Sequence, residues 1–391
     1  MAEPTRSTAD PYFVFQGIST ESSFFMTPFG RFFLPGPTEV HPEVLAAQNR
    51  PVMGHRGSEL SSMLAEIDPM LRRVFRTERP VYVSTSSATG FMEAGIRNGV
   101  RRRALALVNG AFSARFRDLV HDCAREVETY EVEWGEAHDP AEVERRLSEG
   151  GFDAVTVVHS ETSTGVLNPL ADIAEAVRRA ERAAGEEILL LVDGVTSVGG
   201  GLVETDGWQI DWILTGSQKA LALPPGLAFG SASPRMLERA ADLPGRGQYF
   251  DLLEFDRYWK KHQTPNTPAI SLFFALLAQL RRIEAEGVET RAQRHADMAE
   301  RCWSWTESEG AARGFSLFAP DGLRSPTVTA IRVRPDLPGS EITARLKRRG
   351  YTIGSGYGKL KDATIRIGHM GDHTLDGLNQ LLVELEEVVD G

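Results

Sequence analysis

Short apolar runs alternate with helical patterns through the middle of the chain, between residues 80 and 230. Each run is nearly continuous in apolar residues, which is typical of strands that are covered on both faces. Because strand and helix repeat in turn, the pattern indicates a mainly parallel sheet with helices on both faces. The predicted strands cover residues 81–83, 104–108, 127–132, 154–158, 188–192, 212–214 and 227–229.

The pattern changes after this region. Two helices are predicted between residues 268 and 309, with an interruption near Gly287. Beyond them the pattern indicates a smaller α+β unit, with strands at 327–333, 351–353 and 364–367 and helices at 340–349 and 373–389. We therefore predict an N-terminal tail or arm over residues 1–25, a large α/β domain over 26–280 and a small C-terminal domain over 281–391.

Composition limits the classes of function. The 391 residues include 43 basic and 54 acidic side chains, and the formal net charge of −11 argues against nucleic-acid binding. No apolar run is long enough to span a bilayer, and the N-terminus lacks the apolar core of a signal peptide. The two cysteines are far apart, and no CxxC or HExxH motif indicates a metal site. We therefore predict a cytoplasmic protein without a membrane, nucleic-acid or metal partner.

A lysine and an aspartate follow two of the predicted strands. The run at 188–192 ends in Asp193, and the strand at 212–214 leads to Lys219. Pyridoxal phosphate enzymes need a lysine amine that forms a Schiff base with the cofactor aldehyde, and a carboxylate that keeps the pyridine nitrogen protonated. Each residue alone also has an ordinary explanation, since most lysines are solvated and an Asp after a strand is commonly a turn or helix cap.

Polar clusters follow three further predicted strands. The Ser- and Thr-rich loop at 84–90 could hold an anion at a helix N-terminus, or act as an ordinary cap. Phe112 could stack on a flat ring or belong to the core. Thr162, in the loop at 159–165, could hydrogen-bond a phenolic oxygen, or the loop could simply be solvated. Because ligands bind outside the carboxyl ends of parallel strands, five such positions favour one common site.

Arg366 lies among apolar residues in the predicted strand at 364–367. Burying an arginine is costly unless an anion pairs with it. A substrate carboxylate held by both prongs of the guanidinium is one such partner. An internal ion pair with Asp or Glu, or a strand edge that faces solvent, is the alternative.

With these residues assembled, the chain resembles the class V, fold-type I pyridoxal phosphate-dependent aminotransferases. It is most similar to the alanine–glyoxylate, serine–glyoxylate and serine–pyruvate group, and the likeness extends from residue 33 to the C-terminus. Its motifs are LPGPT at 34–38, ETSTGV at 161–166, VDGVTSVGG at 192–200, GSQKAL at 216–221, PPG at 224–226 and RIG at 366–368. The resemblance implies fold type I, pyridoxal 5'-phosphate as cofactor and a homodimer with active sites at its interface.

The resemblance also implies roles for individual residues. Lys219 would bind the cofactor covalently and carry the proton, and Asp193 would pair with the pyridine nitrogen. The other cofactor contacts would be Phe112 on the ring, Thr162 at the phenolic oxygen, Ser87, Ala88, Thr89 and Gln218 at the phosphate, and Asn266 and Thr267 lent to the phosphate of the neighbouring subunit. Arg366 and the backbone of Gly36 would bind the substrate carboxylate.

The activity implied is ping-pong transfer of an amino group from L-alanine or L-serine to glyoxylate or pyruvate. An aminophosphonate donor is an alternative, because Arg366 would bind that anion equally well. A cysteine desulfurase of the same fold is another, although Cys123 and Cys302 fall in predicted helices rather than on a mobile loop. A ligand-binding protein that kept the fold would not need the Asp193–Lys219 pair.

Overall fold

The computed structural model describes residues 29–391, and the predicted N-terminal tail lies outside the described residues. The strands in this part of the chain are β1 (Phe32–Phe33), β2 (Val81–Ser84), β3 (Arg103–Val108), β4 (Glu126–Glu131), β5 (Ala154–Val158), β6 (Ser160–Glu161), β7 (Val166–Leu167), β8 (Leu189–Asp193), β9 (Trp212–Gly216), β10 (Ala228–Ala232), β11 (Ser316–Leu317), β12 (Val328–Arg332), β13 (Thr352–Ser355) and β14 (Thr364–Gly368). The α-helices in it are α1 (Pro42–Ala47), α2 (Ser58–Phe75), α3 (Ala88–Gly99), α4 (Ala111–Asp122), α5 (Pro140–Ser148), α6 (Leu170–Ala184), α7 (Pro234–Asp242), α8 (Leu252–Trp259), α9 (Ile270–Glu286), α10 (Val288–Trp305), α11 (Gly339–Arg348) and α12 (Leu375–Asp390). Among residues 29–391, no helix has both the length and the apolar content needed to cross a membrane.

A seven-stranded sheet lies at the centre of the larger part of the molecule, in the order β2-β10-β9-β8-β5-β3-β4. The neighbours from β9 to β4 pair in parallel, whereas β10 runs antiparallel to both β9 and β2. Every residue of β5, β8, β9 and β10 is buried, which explains why these strands read as continuous apolar runs. The prediction of a mainly parallel sheet covered by helices is confirmed.

Helix α3 crosses the sheet instead of lying beside the strand that precedes it. It follows the edge strand β2, yet it packs against β8, β9 and β10. Gly95 permits this approach, because a Cβ there would lie 2.5 Å from the Trp212 ring. The indole of Trp212 also donates a hydrogen bond to the carbonyl of Phe91 at 3.1 Å. The first turn of α3 therefore reaches the same cleft as the carboxyl end of β8.

A second, five-stranded sheet has the order β1-β13-β14-β12-β11. Its edge strand β1 comes from the other end of the chain and pairs in parallel with β13, with Phe32 opposite Thr352. Helices α10, α11 and α12 supply side chains such as Trp305, Leu346 and Leu385 to a separate hydrophobic core that also includes Phe33. This is the smaller α+β unit expected near the C-terminus, and the domain boundary at residue 280 stays a prediction.

Four helices were not predicted from the sequence: α1, α2, α7 and α8. Helix α2 has an apolar stripe, but Pro69 lies in its interior, where proline normally ends or kinks a helix. The other three have six to nine residues, too few for a helical period to stand out. Local caps mark their starts instead, as where the Ser233 hydroxyl accepts a hydrogen bond from the Met236 N–H at the start of α7.

Candidate active site

Lys219 is buried three residues beyond the end of β9. Its ammonium donates a hydrogen bond to the carbonyl of Pro35, and the Thr38 hydroxyl donates to the Lys219 carbonyl at 2.9 Å. Burial and the positive charge of Arg366 together lower the pKa of the Lys219 amine to about 8, against the opposing negative charges of Asp193 and Glu161. A substantial fraction of this amine is therefore neutral near physiological pH.

Asp193 is the last residue of β8, and Leu214 of β9 lies opposite it in the sheet. One carboxylate oxygen accepts a hydrogen bond from the Val195 N–H at 2.7 Å. Burial raises the pKa of Asp193 to about 7; the nearby negative charge of Glu161 adds to this, whereas the positive charge of Lys219 opposes it. A cation placed against this carboxylate would favour its ionised form.

One cleft with about 470 Å³ of empty space contains most of the sequence-predicted side chains. Among the residues that line it are the candidates Ser87, Ala88, Thr89, Phe112, Thr162, Asp193, Gln218 and Lys219. They come from loops after five different strands, which supports the interpretation of those loops as parts of one site. The strands β2 and β3 are not neighbours in the sheet, and the crossing of α3 brings Ser87 into the cleft with Phe112.

The start of helix α3 forms one end of this cleft. Ser87 is its N-cap residue, and the Ser87 side chain makes no capping hydrogen bond. The first N–H groups of a helix carry a partial positive charge and can bind an anion. Gly216 keeps this end compact, since a Cβ there would lie 2.7 Å from Oε1 of Gln218 and 3.3 Å from Cβ of Ala88.

Phe112 and Thr162 lie on the side of the cleft that faces the C-terminal sheet. The Phe112 ring centre is 5.8 Å from Nζ of Lys219 and 5.3 Å from the ring centre of Tyr357. The hydroxyl of Thr162 is hydrogen-bonded to that of Thr196 at 2.5 Å. The flat face of Phe112 is thus close to the lysine amine, as stacking on a ring bound there would require.

Arg366, on strand β14, lies beside this cleft and contacts one of its lining residues, Thr162. Its Nε donates to the carbonyl of Ser355 at 2.9 Å, and one terminal nitrogen donates to the carbonyl of Thr162 at 3.3 Å. Within residues 29–391 no carboxylate lies within salt-bridge distance of Arg366, so the internal ion pair considered from sequence is not formed there. Burial lowers the pKa of Arg366 to about 10, and the guanidinium stays charged at neutral pH.

Gly36 lies against the lysine side chain. Its φ of +124° is in the region that favours glycine, and a Cβ there would lie 2.6 Å from Cε and Nζ of Lys219. No other residue type fits at this position without moving Lys219.

A family model described as Aminotransferase class-V matches residues 84–331, which span most of the large sheet and the cleft. The chain belongs to the class V aminotransferases. An uncharacterized aminotransferase of Methanocaldococcus jannaschii, MJ0959, is 38% identical over 86% of this chain and 87% of its own length. The L-aspartate–glyoxylate aminotransferase of Paracoccus denitrificans is 34% identical over 89% of this chain and 88% of its own. The crystal structure of an alanine–glyoxylate aminotransferase from Nostoc sp. superposes with a TM-score of 0.84 at 32% identity, covering 92% of this chain and 95% of that one.

Two of the expected residues lie apart from the cleft in this class V aminotransferase. Asn266 and Thr267 line a second pocket of about 250 Å³, next to Thr85 and Tyr249. The segment is held by Arg56, whose guanidinium donates to the carbonyls of Thr264 and Pro265. A contribution of Asn266 and Thr267 to the site of a neighbouring subunit stays a prediction.

Several residues in or beside the aminotransferase cleft were not predicted from the sequence. Tyr357 contacts Phe112, and the guanidinium of Arg115 donates to the Tyr357 hydroxyl at 3.2 Å. Val195 also lines the cleft, and its position two residues after Asp193 could have suggested this. Tyr357 had no such local signal, because the C-terminal sheet brings it to the cleft from more than 100 residues away.

Proposed function

We propose that this class V aminotransferase uses pyridoxal 5'-phosphate to move an amino group from a small L-amino acid, alanine or serine, to a 2-oxo acid, glyoxylate or pyruvate. The observation that carries the proposal is that Lys219 and Asp193 are both buried at one cleft, with Asp193 ending β8 and Lys219 lying three residues beyond the adjacent strand β9. A buried amine and a buried carboxylate without a shared structural purpose are costly, which favours a functional reason for both.

The side chains at the cleft are chemically suited to hold pyridoxal phosphate. Lys219 offers an amine that is partly neutral, and Asp193 offers a carboxylate suited to a protonated ring nitrogen. The open start of α3 and Gln218 suit a phosphate, and the face of Phe112 suits the ring. Thr162 would donate or accept a hydrogen bond at the phenolic oxygen.

When bound, the cofactor supplies an aldehyde that takes up the amino group and an aromatic ring that withdraws electrons from the substrate Cα. In this proposal Asp193 accepts a hydrogen bond from the ring N–H and keeps that proton in place. Lys219 takes the proton from the substrate Cα as a general base and returns it at the other side of the transferred nitrogen. Its pKa near 8 suits both directions of this transfer.

Arg366 binds the substrate carboxylate in this proposal. Two of its nitrogens already donate to backbone carbonyls, which fixes the guanidinium plane, and its charge has no carboxylate partner among residues 29–391. The backbone of Gly36, which packs against the Lys219 side chain, would contact the same substrate carboxylate. The donor leaves as its 2-oxo acid before the acceptor binds, so each substrate uses the same arginine in turn.

The names of similar proteins support the proposed amino acceptor more than they support the proposed amino donor. The names of the Paracoccus denitrificans and Nostoc relatives both include glyoxylate, whereas the donors in those names differ, being aspartate in one and alanine in the other. We propose that two subunits assemble and that Asn266 and Thr267 of one contact the phosphate bound by the other. The desulfurase alternative lacks support, because neither Cys123 nor Cys302 is among the residues that line the cleft.

The test is a spectroscopic half-reaction with the purified protein and pyridoxal phosphate. We expect the visible absorption band to bleach on addition of L-alanine or L-serine and to return on addition of glyoxylate or pyruvate. L-aspartate, 2-aminoethylphosphonate and L-cysteine are the competing donors, with sulfide release as the signature of the lyase. A band that no amino donor bleaches would overturn the proposal, and Lys219→Ala provides the control without the covalent bond.

A further inference from the structure

Glu161 is a fully buried carboxylate beside the active-site cleft, and its two oxygens accept five different hydrogen-bond donors. These donors are the N–H groups of Phe112, Ser113 and Ser163 and the hydroxyls of Ser113 and Ser163. Within residues 29–391 no Lys, Arg or His lies within salt-bridge distance of it. The carboxylate is therefore held by oriented N–H and O–H groups without a direct ion pair, while the charges of Lys219 and Arg366 act on it from a greater distance.

The contacts of Glu161 are concentrated at the start of helix α4. The N-cap residue of α4 is Gly110, which has no side chain to accept a hydrogen bond from the first turn. Glu161 supplies the acceptor from a different loop, and its negative charge is favourable next to the positive end of the helix. A Cβ on Gly110 would lie 2.3 Å from Cγ of Glu161, so the absence of a side chain at Gly110 is what admits the carboxylate.

We propose that Glu161 is a positioning residue that fixes the first turn of α4 and thereby holds the Phe112 ring over the cofactor plane. This inference rests on the proposed function, since Phe112 needs a bound ring on which to act. Phe112 is the second residue of α4, and its N–H lies 3.2 Å from one oxygen of Glu161 and 3.3 Å from the other. The backbone that carries the stacking ring is thus bonded directly to this carboxylate.

Glu161→Gln is the appropriate variant because it keeps the shape and removes one set of acceptors. Each carboxylate oxygen now accepts from several donors: Oε2 from the N–H and hydroxyl of Ser113, and Oε1 from the N–H and hydroxyl of Ser163. Whichever way the amide is turned, its NH₂ group faces a backbone N–H, of Ser113 or of Ser163, from which it cannot accept a hydrogen bond. We expect pyridoxal phosphate to bind about tenfold more weakly, as for the loss of hydrogen bonds to a charged group.

The decisive measurement is a double-mutant cycle for cofactor affinity. Affinity is read as the concentration of pyridoxal phosphate that restores the visible band to cofactor-depleted protein. If Glu161 acts through Phe112, Glu161→Gln weakens binding strongly in the wild type but only slightly in the Phe112→Ala background. Faster hydrogen exchange at the amides of Phe112 and Ser113 in Glu161→Gln is the expected second readout.

Asp153 provides a control carboxylate just before β5, at the end of that strand opposite the cleft. Its carboxylate accepts hydrogen bonds from the N–H groups of Arg101, Arg102 and Arg103 at 2.8, 2.8 and 3.1 Å. Asp153→Asn removes a comparable cap far from the cleft. We expect it to lower thermal stability without changing cofactor affinity.

The outcomes separate this inference from the proposed function. The positioning role is overturned if Glu161→Gln weakens pyridoxal phosphate binding equally in the wild type and in Phe112→Ala, or does not weaken it at all. Neither result affects the proposed transamination. A wild-type protein that binds no pyridoxal phosphate overturns the function itself. If Glu161→Gln does not fold, Ser163→Ala removes the hydroxyl that donates to Glu161 and accepts from the Ala111 N–H at the start of α4, and the same cycle with Phe112→Ala decides the question.

Discussion

Lys219 differs chemically from an exposed lysine because burial disfavours its charged form. At a pKa of about 8 its amine becomes neutral more than two pH units below the ordinary value of 10.5. Only the neutral amine can attack the aldehyde of the cofactor. The protonation of this one side chain therefore controls how fast the cofactor is captured.

The rate at which cofactor-free protein captures pyridoxal phosphate is expected to rise with pH through about 8 and to level off above it. Arg366→Ala removes a positive charge that lowers the pKa of Lys219, so the midpoint should move to higher pH. Stopped-flow absorbance at a series of pH values measures both midpoints. A wild-type midpoint near that of a free lysine would contradict the burial argument.

Arg366→Ala is also expected to weaken substrate binding specifically. Loss of a bidentate charged contact should raise the KM for the amino donor roughly a hundredfold, while the affinity for pyridoxal phosphate changes little. Steady-state kinetics and cofactor titration measure the two effects. Arg332, exposed on the neighbouring strand β12, is the matched control, and Arg332→Ala should leave the KM unchanged.

At the residue level, the sequence allowed predictions for reactive residues that follow shortly after a predicted strand. Lys219 and Asp193 were predicted in this way, and both line one cleft in the structure. Glu161 is the first residue of the ETSTGV motif, yet no function was predicted for it. Its partners Phe112 and Ser113 precede it by 49 and 48 residues, and only the fold brings them together.

Strand β14 and the segment before α1 depend on each other at the level of elements. A Cβ on Gly368 would lie 2.5 Å from the carbonyl oxygen of Leu34 and 2.6 Å from Cα of Pro35. The Pro35 carbonyl in turn accepts the hydrogen bond of Lys219. The close contact of two backbones thus connects the strand that carries Arg366 with the position of the lysine.

The methyl group added in Gly368→Ala is expected to push the Leu34–Pro35 segment away from β14. This shift is costly because neither backbone can move without breaking other contacts. Overpacking of this kind should destabilise the protein by about 2 kcal/mol and reduce the transamination rate as well. Gly201→Ala is the control, since a Cβ there meets its nearest neighbour at an ordinary 3.5 Å. Thermal melting and steady-state kinetics test both; full activity in Gly368→Ala would contradict the coupling.

The elements that the sequence predicted are those with strong internal patterns. The bounds of β5, β8 and β9 were predicted to within one or two residues, because strands buried on both faces appear in the sequence as continuous apolar runs. Two features have no such local sequence pattern. The antiparallel direction of β10 and the course of α3 across the sheet depend on tertiary packing, such as Gly95 against the Trp212 ring.

For the whole molecule, the position of Asn266 and Thr267 outside the cleft gives a test of shared sites. We expect a dimer in which Lys219→Ala and an Asn266→Ala/Thr267→Ala double variant are each inactive. After dissociation and mixing, half of the dimers carry one variant of each kind, and each such dimer has one complete site. Activity should then return to about a quarter of the wild-type value.

Sedimentation of the mixture establishes the subunit number, and Lys219→Ala mixed with itself is the control. If activity does not return although mixed dimers form, Asn266 and Thr267 do not serve the neighbouring site.

The pairing of β1 with β13 has a consequence for how the protein is made. Phe32 leaves the ribosome about 320 residues before its partner Thr352, so the first strand has no place in a sheet until synthesis is nearly complete. Pro35 and Gly36, which contact Lys219, follow directly after that strand. A nascent chain therefore cannot complete the surroundings of Lys219 until its last hundred residues have emerged. A prematurely terminated polypeptide would carry the lysine without the neighbouring residues that lower its pKa.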